Sequence, residues 1–181
     1  MIYGQQQIIQ CLKKHIKTYW RKDWYRIERI NWDTYFCEIA KLTAKRSGCL
    51  RRQVGAVIVK DNRVIATGYN AQPVGVPECC TKGYCMRQHH KGGLGLEECT
   101  VVHAEINAIT QCALLGISCN GATMYVTTKC CIWCLKAAIN AGIKKIVYIE
   151  DYNAPLSDEL VKITNIEMVK YEGGCSSCQH L

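Results

Sequence analysis

The second half of the chain alternates two periodicities, and that alternation restricts the fold more than anything else in the sequence. "GATMYVTT" (121–128), "KKIVYIE" (144–150) and "IEMVKY" (166–171) are short β-branched and aromatic runs, whereas "CIWCLKAAINAG" (131–142) and "PLSDELVKIT" (155–164) read as helices. Strand, helix and strand joined by short links demand parallel neighbours and right-handed crossovers. Upstream, "HAEINAITQCALLG" (103–116) reads as a helix with a glycine stop. "QVGAVIVK", "DN" and "RVIATGYN" (53–70) read as a hairpin about a two-residue turn. "NWDTYFCEIAKLTAKRSG" (31–48) reads as a helix capped by Asn31 or Asp33, with Tyr35, Phe36, Ile39, Ala40, Leu42 and Thr43 at helical spacing and Gly48 ending it. The expectation is an α/β fold of three layers, a five-stranded mixed sheet between helices.

Composition narrows the class. Apolar residues make up 49% and charged residues 21%, as in folded, soluble domains. No run approaches the roughly 18 apolar residues of a membrane span, and no secretory signal is read at the start. With 14 cysteines, that favours a reducing, cytoplasmic setting in which thiols bind metal or sit buried. Net charge is +8, of which residues 1–30 hold +5, so the body is only mildly basic and nucleic acid is not an expected partner. The layout expected is a basic helical extension (1–30), a main domain (31–172) and a flexible tail (173–181).

The chemistry lies at two helix starts. "HAE" places His103 and Glu105 in the first turn of one helix, and "CIWC" places Cys131 and Cys134 in the first turn of the next. After parallel strands, both N-termini point to the sheet edge where α/β folds bind ligands. A three-residue spacing puts the two sulfurs on one helical face, about 5–6 Å apart at Cβ. Helix N-termini also stabilise thiolates. One imidazole and two thiolates fill three positions of a tetrahedral zinc, leaving the fourth for water, whose pKa zinc lowers toward roughly 7. Glu105 is then placed to move that water's proton to a leaving group. A structural zinc site is the competing reading, and Cys130 a competing ligand.

H-x-E followed by C-x-x-C is the signature of zinc nucleobase deaminases. Together with "CLRRQVGAVIVKDNRVIATGYNAQP", "GATMYVTT" and "CIWCLKAAINAGIKKIVY" in that order, it makes residues 32–172 resemble the deoxycytidylate (dCMP) deaminase family. The resemblance implies a cytidine deaminase-like fold and zinc-dependent hydrolysis of dCMP to dUMP and ammonia, supplying thymidylate synthesis. It assigns the catalytic proton to Glu105, the pyrimidine carbonyl to the Ala104 N–H, the sugar hydroxyl to Asn70, and closure over the nucleotide to Tyr152. It also implies a homo-oligomer, often a hexamer, and dCTP and dTTP as effectors. Arg87 and Lys129 are candidates for the phosphate, since Leu114 stands where some phage members carry a phosphate-contacting arginine. The family has proline where this chain has Cys130, so helix stability is expected to fall slightly and no ligand to be lost. Alternatives are a deaminase of another cytosine or adenine nucleoside or of nucleic acid, and a non-catalytic zinc scaffold.

The resemblance further implies a second, structural zinc, because members often carry one at the long loop 71–99. Cys49, Cys79 and Cys99 are its expected ligands, with Cys85, His89 or His90 as the fourth; unliganded thiols are the alternative. Cys11, Cys37, Cys112 and Cys119 are expected to pack. Trp133 is expected either at the pocket or in a core or interface.

Overall fold

The computed structural model describes residues 29–91 and 94–173. All but Arg29 and Ile30 of the expected N-terminal helix, Cys11, and all but the first residue of the expected tail lie outside the described residues.

The described chain runs α1 (Trp32–Ala44), β1 (Gly55–Lys60), β2 (Arg63–Tyr69), α2 (Cys79–Lys82), a 3₁₀ turn (Leu96–Glu98), α3 (Ala104–Leu115), β3 (Thr123–Thr128), α4 (Ile132–Asn140), β4 (Lys145–Glu150), α5 (Pro155–Lys162) and β5 (Glu167–Lys170). The five strands form one sheet in the order β2-β1-β3-β4-β5. β1 pairs antiparallel with both β2 and β3, while β3, β4 and β5 run parallel, so the sheet is mixed as expected.

Alternation along each central strand divides the core. Ala56, Ile58, Met124, Val126 and Ile146 face one way and pack with Ala104, Ala108, Leu135 and Ala138 of α3 and α4. Val57, Val59, Tyr125 and Val147 face the other way and meet Phe36, Cys37 and Ala40 of α1. One face lies under α3 and α4 and the other under α1, which makes the three layers.

Local chemistry explains the boundaries. The β1–β2 turn holds Asp61 and Asn62 at φ of 51° and 56°, the two left-handed residues that a type I′ hairpin requires. Asn31 caps α1, accepting from the Thr34 N–H at 2.7 Å. Asp33 instead accepts from the Tyr125 hydroxyl at 2.7 Å, tying α1 to the sheet. Two expectations about α1 need correction. It ends at Ala44, with Lys45 as its cap, and not at Gly48; Gly48 is small because a Cβ there would lie 2.9 Å from the Cys80 sulfur. Of its apolar stripe, Tyr35 and Leu42 are exposed, whereas Cys37 and Ala44 are buried. Cys112 and Cys119 are buried as expected.

Candidate active site

His103 and Cys131 are each the cap residue immediately before a helix, His103 before α3 and Cys131 before α4. Extended backbone at both positions (φ −68°, ψ 152°; φ −71°, ψ 166°) leads into the helix, at Cys131 directly after β3 and at His103 from the long loop, whose end is tied to its start by the Ala71–Val102 bridge. His103 and Cys131 therefore lie one step earlier than the first helical turn, while Glu105 and Cys134 lie within it. His103 Nδ1 is 3.3 Å from Cys134 Sγ and 3.4 Å from Cys131 Sγ. All three donor atoms fall within 4.8 Å of one another, the only such group of three or more metal-binding side chains among the described residues.

That spacing fits a metal. With Zn–N near 2.0–2.1 Å and Zn–S near 2.3 Å, tetrahedral geometry separates nitrogen from sulfur by about 3.5 Å. The donors, one imidazole and two thiols, are those zinc prefers. Cys130 does not join them. It is fully buried beneath the site, beside the Glu105 carboxyl, and its thiol is pushed up, mainly by burial. The Cys131 thiol is held down to about 4, chiefly by the bond from Cys134, while Cys134, the donor of that bond, is raised.

Glu105 is 4% exposed. Burial pushes its carboxyl upward, and its own backbone N–H, the charge of His103 and the Cys130 thiol pull less strongly the other way. A protonatable group thus sits one residue inside a helix whose cap is a metal donor.

These residues open onto a cavity of about 1230 Å³. Asn70, Ala104 and Tyr152, the residues expected to contact substrate, line it. Asn70 also has structural work: its Nδ2 donates to the Arg52 carbonyl and its Oδ1 accepts from the Val54 N–H, both at 2.8 Å. Trp133 lines the rim and is 68% exposed, with the Lys136 ammonium 4.9 Å from its ring centroid, so it is not a core residue. Cys49, Cys79, Cys85 and Cys99 converge on the same cavity, but no three of their sulfurs come within 4.8 Å. Neither loop histidine is turned to them. His90 pairs with Glu98 at 3.1 Å, and His89 meets the Gln88 amide at 3.1 Å. Sequence reasoning overlooked Arg52 and Ser157, which also line the cavity; Arg52 was in view in "CLRRQVG", but nothing in its spacing pointed inward.

A three-layer α/β fold with an imidazole and two thiols at adjacent helix starts defines a zinc-dependent deaminase class. Residues 30–150 match the family model described as the cytidine and deoxycytidylate deaminase zinc-binding region, and the chain belongs to that family. It is 41% identical over 147 residues to ComE operon protein 2 of Bacillus subtilis, covering 81% of this chain and 74% of that one. It is 42% identical over 127 residues to the deoxycytidylate deaminase of Schizosaccharomyces pombe, covering 69% of this chain but only 39% of the yeast protein. The solved dCMP deaminase of the cyanophage S-TIM5, in complex with dCMP and dUMP, superposes with a TM-score of 0.65 at 27% identity, over 76% of this chain and 95% of the phage chain. Zinc is the metal of the matched region, and the donor set here suits it. Among the described residues no helix is long and apolar enough to cross a membrane.

Proposed function

We propose that the protein hydrolyses dCMP to dUMP and ammonia, with His103, Cys131 and Cys134 holding zinc and Glu105 moving the proton. The observation that carries this reading is the buried Glu105 carboxyl beside three donors spaced for one tetrahedral ion. When bound, zinc supplies the Lewis acidity that makes water nucleophilic at neutral pH. The chain's own residues do the rest. Glu105, a carboxyl buried beside the donors, takes the attacking water's first proton and delivers it to the ring nitrogen N3, then takes the second from the hydroxyl added at C4 and passes it to the departing amine as the C4–N bond breaks. The Ala104 N–H, at the first position of α3 where helix geometry leaves donors unpaired, receives the pyrimidine carbonyl. Asn70 keeps one amide hydrogen and a lone pair beyond its two backbone bonds, enough to meet a sugar hydroxyl. Tyr152 closes the far side.

The test follows ammonia release from dCMP and from deoxycytidine. Turnover of dCMP, strongly preferred over the nucleoside, is the expected result; equal rates on both, or none on either, would remove the monophosphate from this reading.

The loop thiols take a second, structural zinc in this reading, with Cys85 as the fourth ligand beside Cys49, Cys79 and Cys99. Burial raises the Cys79 thiol, and the nearby Cys49, Cys85 and Cys99 raise it further after a bond from Gln72 lowers it. A metal closing that quartet would stiffen the loop, its binding energy acting as local folding energy. Two zinc ions per chain are expected by elemental analysis, falling to one in Cys79→Ser; one ion per chain in both proteins would eliminate the second site.

A cytoplasmic homo-oligomer, answering to dCTP and dTTP, completes the proposal. The eleven described cysteines are all unpaired, which suits a reducing compartment. Exposed Trp133, Leu114 and Leu156 suit burial between subunits.

A further inference from the structure

A nucleoside monophosphate whose amino group lies at Glu105 extends its sugar and phosphate away from that carboxyl, along the same cavity. Four cationic side chains line that cavity: Arg51, Arg52, Arg87 and Lys129. Three are already committed. Both terminal nitrogens of Arg51 donate to main-chain carbonyls, those of Arg87 and His90. Arg87 is buried and donates twice to the Leu94 carbonyl. Lys129 pairs with Asp158 at 2.6 Å. Arg87 and Lys129, the sequence-level candidates for the phosphate, are therefore both already paired within the protein.

Arg52 alone remains. Its guanidinium has no hydrogen-bonding or ionic partner among the described residues and rests over the Tyr152 ring, 5.8 Å from the centroid. Its backbone is fixed: Asn70, itself a cavity residue, binds the Arg52 carbonyl and the Val54 N–H. The arm thus starts from a fixed point and ends in a head free to move. A guanidinium suits this task, since its planar fork binds phosphate with two parallel hydrogen bonds.

An independent observation concerns the segment that begins at Tyr152. Ser157, in the first turn of α5, lines the same cavity and is fully buried, yet its Oγ is the one buried side-chain nitrogen or oxygen without a partner among the described residues. Buried hydroxyls are nearly always paired, so the Ser157 Oγ has its hydrogen-bonding capacity left for a polar group entering the cavity.

We propose that Arg52 leaves the Tyr152 ring to bind the substrate's phosphate and so makes the enzyme select a nucleoside monophosphate over the nucleoside. The inference rests on the reading of the substrate given above, and its test reads binding without turnover. Calorimetry compares dUMP with deoxyuridine on the zinc-loaded parent protein, on Arg52→Ala and on Arg52→Lys. The parent is expected to favour dUMP; Arg52→Ala should reduce that preference by roughly 10- to 100-fold, as for loss of a charge-assisted pair. Arg52→Lys, which keeps the charge but not the fork, should recover part of it. Circular dichroism of Arg52→Ala should match the parent, because the side chain is exposed and, among the described residues, touches only the Tyr152 ring. If Arg52→Ala keeps the parental preference, Arg52 is not the phosphate ligand and the dCMP reading stands. If the parent itself does not distinguish dUMP from deoxyuridine, both fall together.

Discussion

Glu105→Gln is expected to lower dCMP turnover by roughly 10²–10⁴-fold, the usual contribution of a positioned acid–base group. Glutamine keeps the shape and a hydrogen-bonding oxygen but cannot carry a proton between ring nitrogen and leaving amine. Zinc content is expected to stay at the parental value, because the three donors are His103, Cys131 and Cys134. Stability is expected to hold or rise, since desolvation disfavours a buried carboxylate more than a neutral amide of the same shape. Rate assays paired with elemental analysis and thermal melting separate the possible outcomes. Retained zinc with turnover within tenfold of the parent would exclude Glu105 as the proton carrier. Loss of zinc along with activity would make it a structural prop for the site.

How much of this was legible beforehand depends on the range of the interactions involved. Elements set by local pattern were readable: the Asp61–Asn62 turn, the Asn31 cap, and the strand–helix alternation from 121 to 171 that forces parallel pairing. The His103, Cys131 and Cys134 cluster was readable from the H-x-E and C-x-x-C spacing, and topology accounts for half of it: α4 starts directly after β3 at the sheet edge, whereas α3 starts after the long loop that follows β2. What escaped was decided by contacts distant in sequence. Gly48 looks like a helix stop, but its size is set by Cys80, 32 residues on. Asn70 spends side-chain bonds on residues 52 and 54, 16 to 18 positions back. Arg87 and Lys129 seemed available for phosphate until Leu94 and Asp158 were found to occupy them. Charge can be counted in a sequence; whether it is already paired depends on the fold.

Gly68→Ala is expected to be the most damaging single-methyl change in the described chain, together with Gly55→Ala, because both glycines let a helix backbone lie directly on a strand. A Cβ at Gly68 would sit 2.2 Å from the Ala104 carbonyl oxygen and 2.4 Å from the Ala108 nitrogen. One at Gly55 would sit 2.2 Å from the Ala40 carbonyl oxygen. These are main-chain atoms within helices, so no rotamer change relieves the clash; α3 must lift off β2 or the sheet must bend. Overpacking of this kind costs up to about 3 kcal/mol when side chains can give way, and more where they cannot. For a domain of this size that is a fall of roughly 6–12 °C in melting temperature. Gly116 is the control: its φ of +68° strains any other residue, but a Cβ there meets nothing within 4 Å. Gly116→Ala should therefore cost only about 1–2 kcal/mol. The two positions also separate stability from chemistry. α3 carries Ala104 and Glu105 and follows His103, so lifting its first turn off Gly68 displaces the proposed zinc donor and the proposed proton carrier together. Gly68→Ala should lose zinc at temperatures where the protein remains folded, whereas Gly116→Ala, at the far end of the same helix, should melt earlier and keep its metal until it does. Equal melting temperatures for Gly68→Ala and the parent would mean that α3 does not pack on β2 as closely as described.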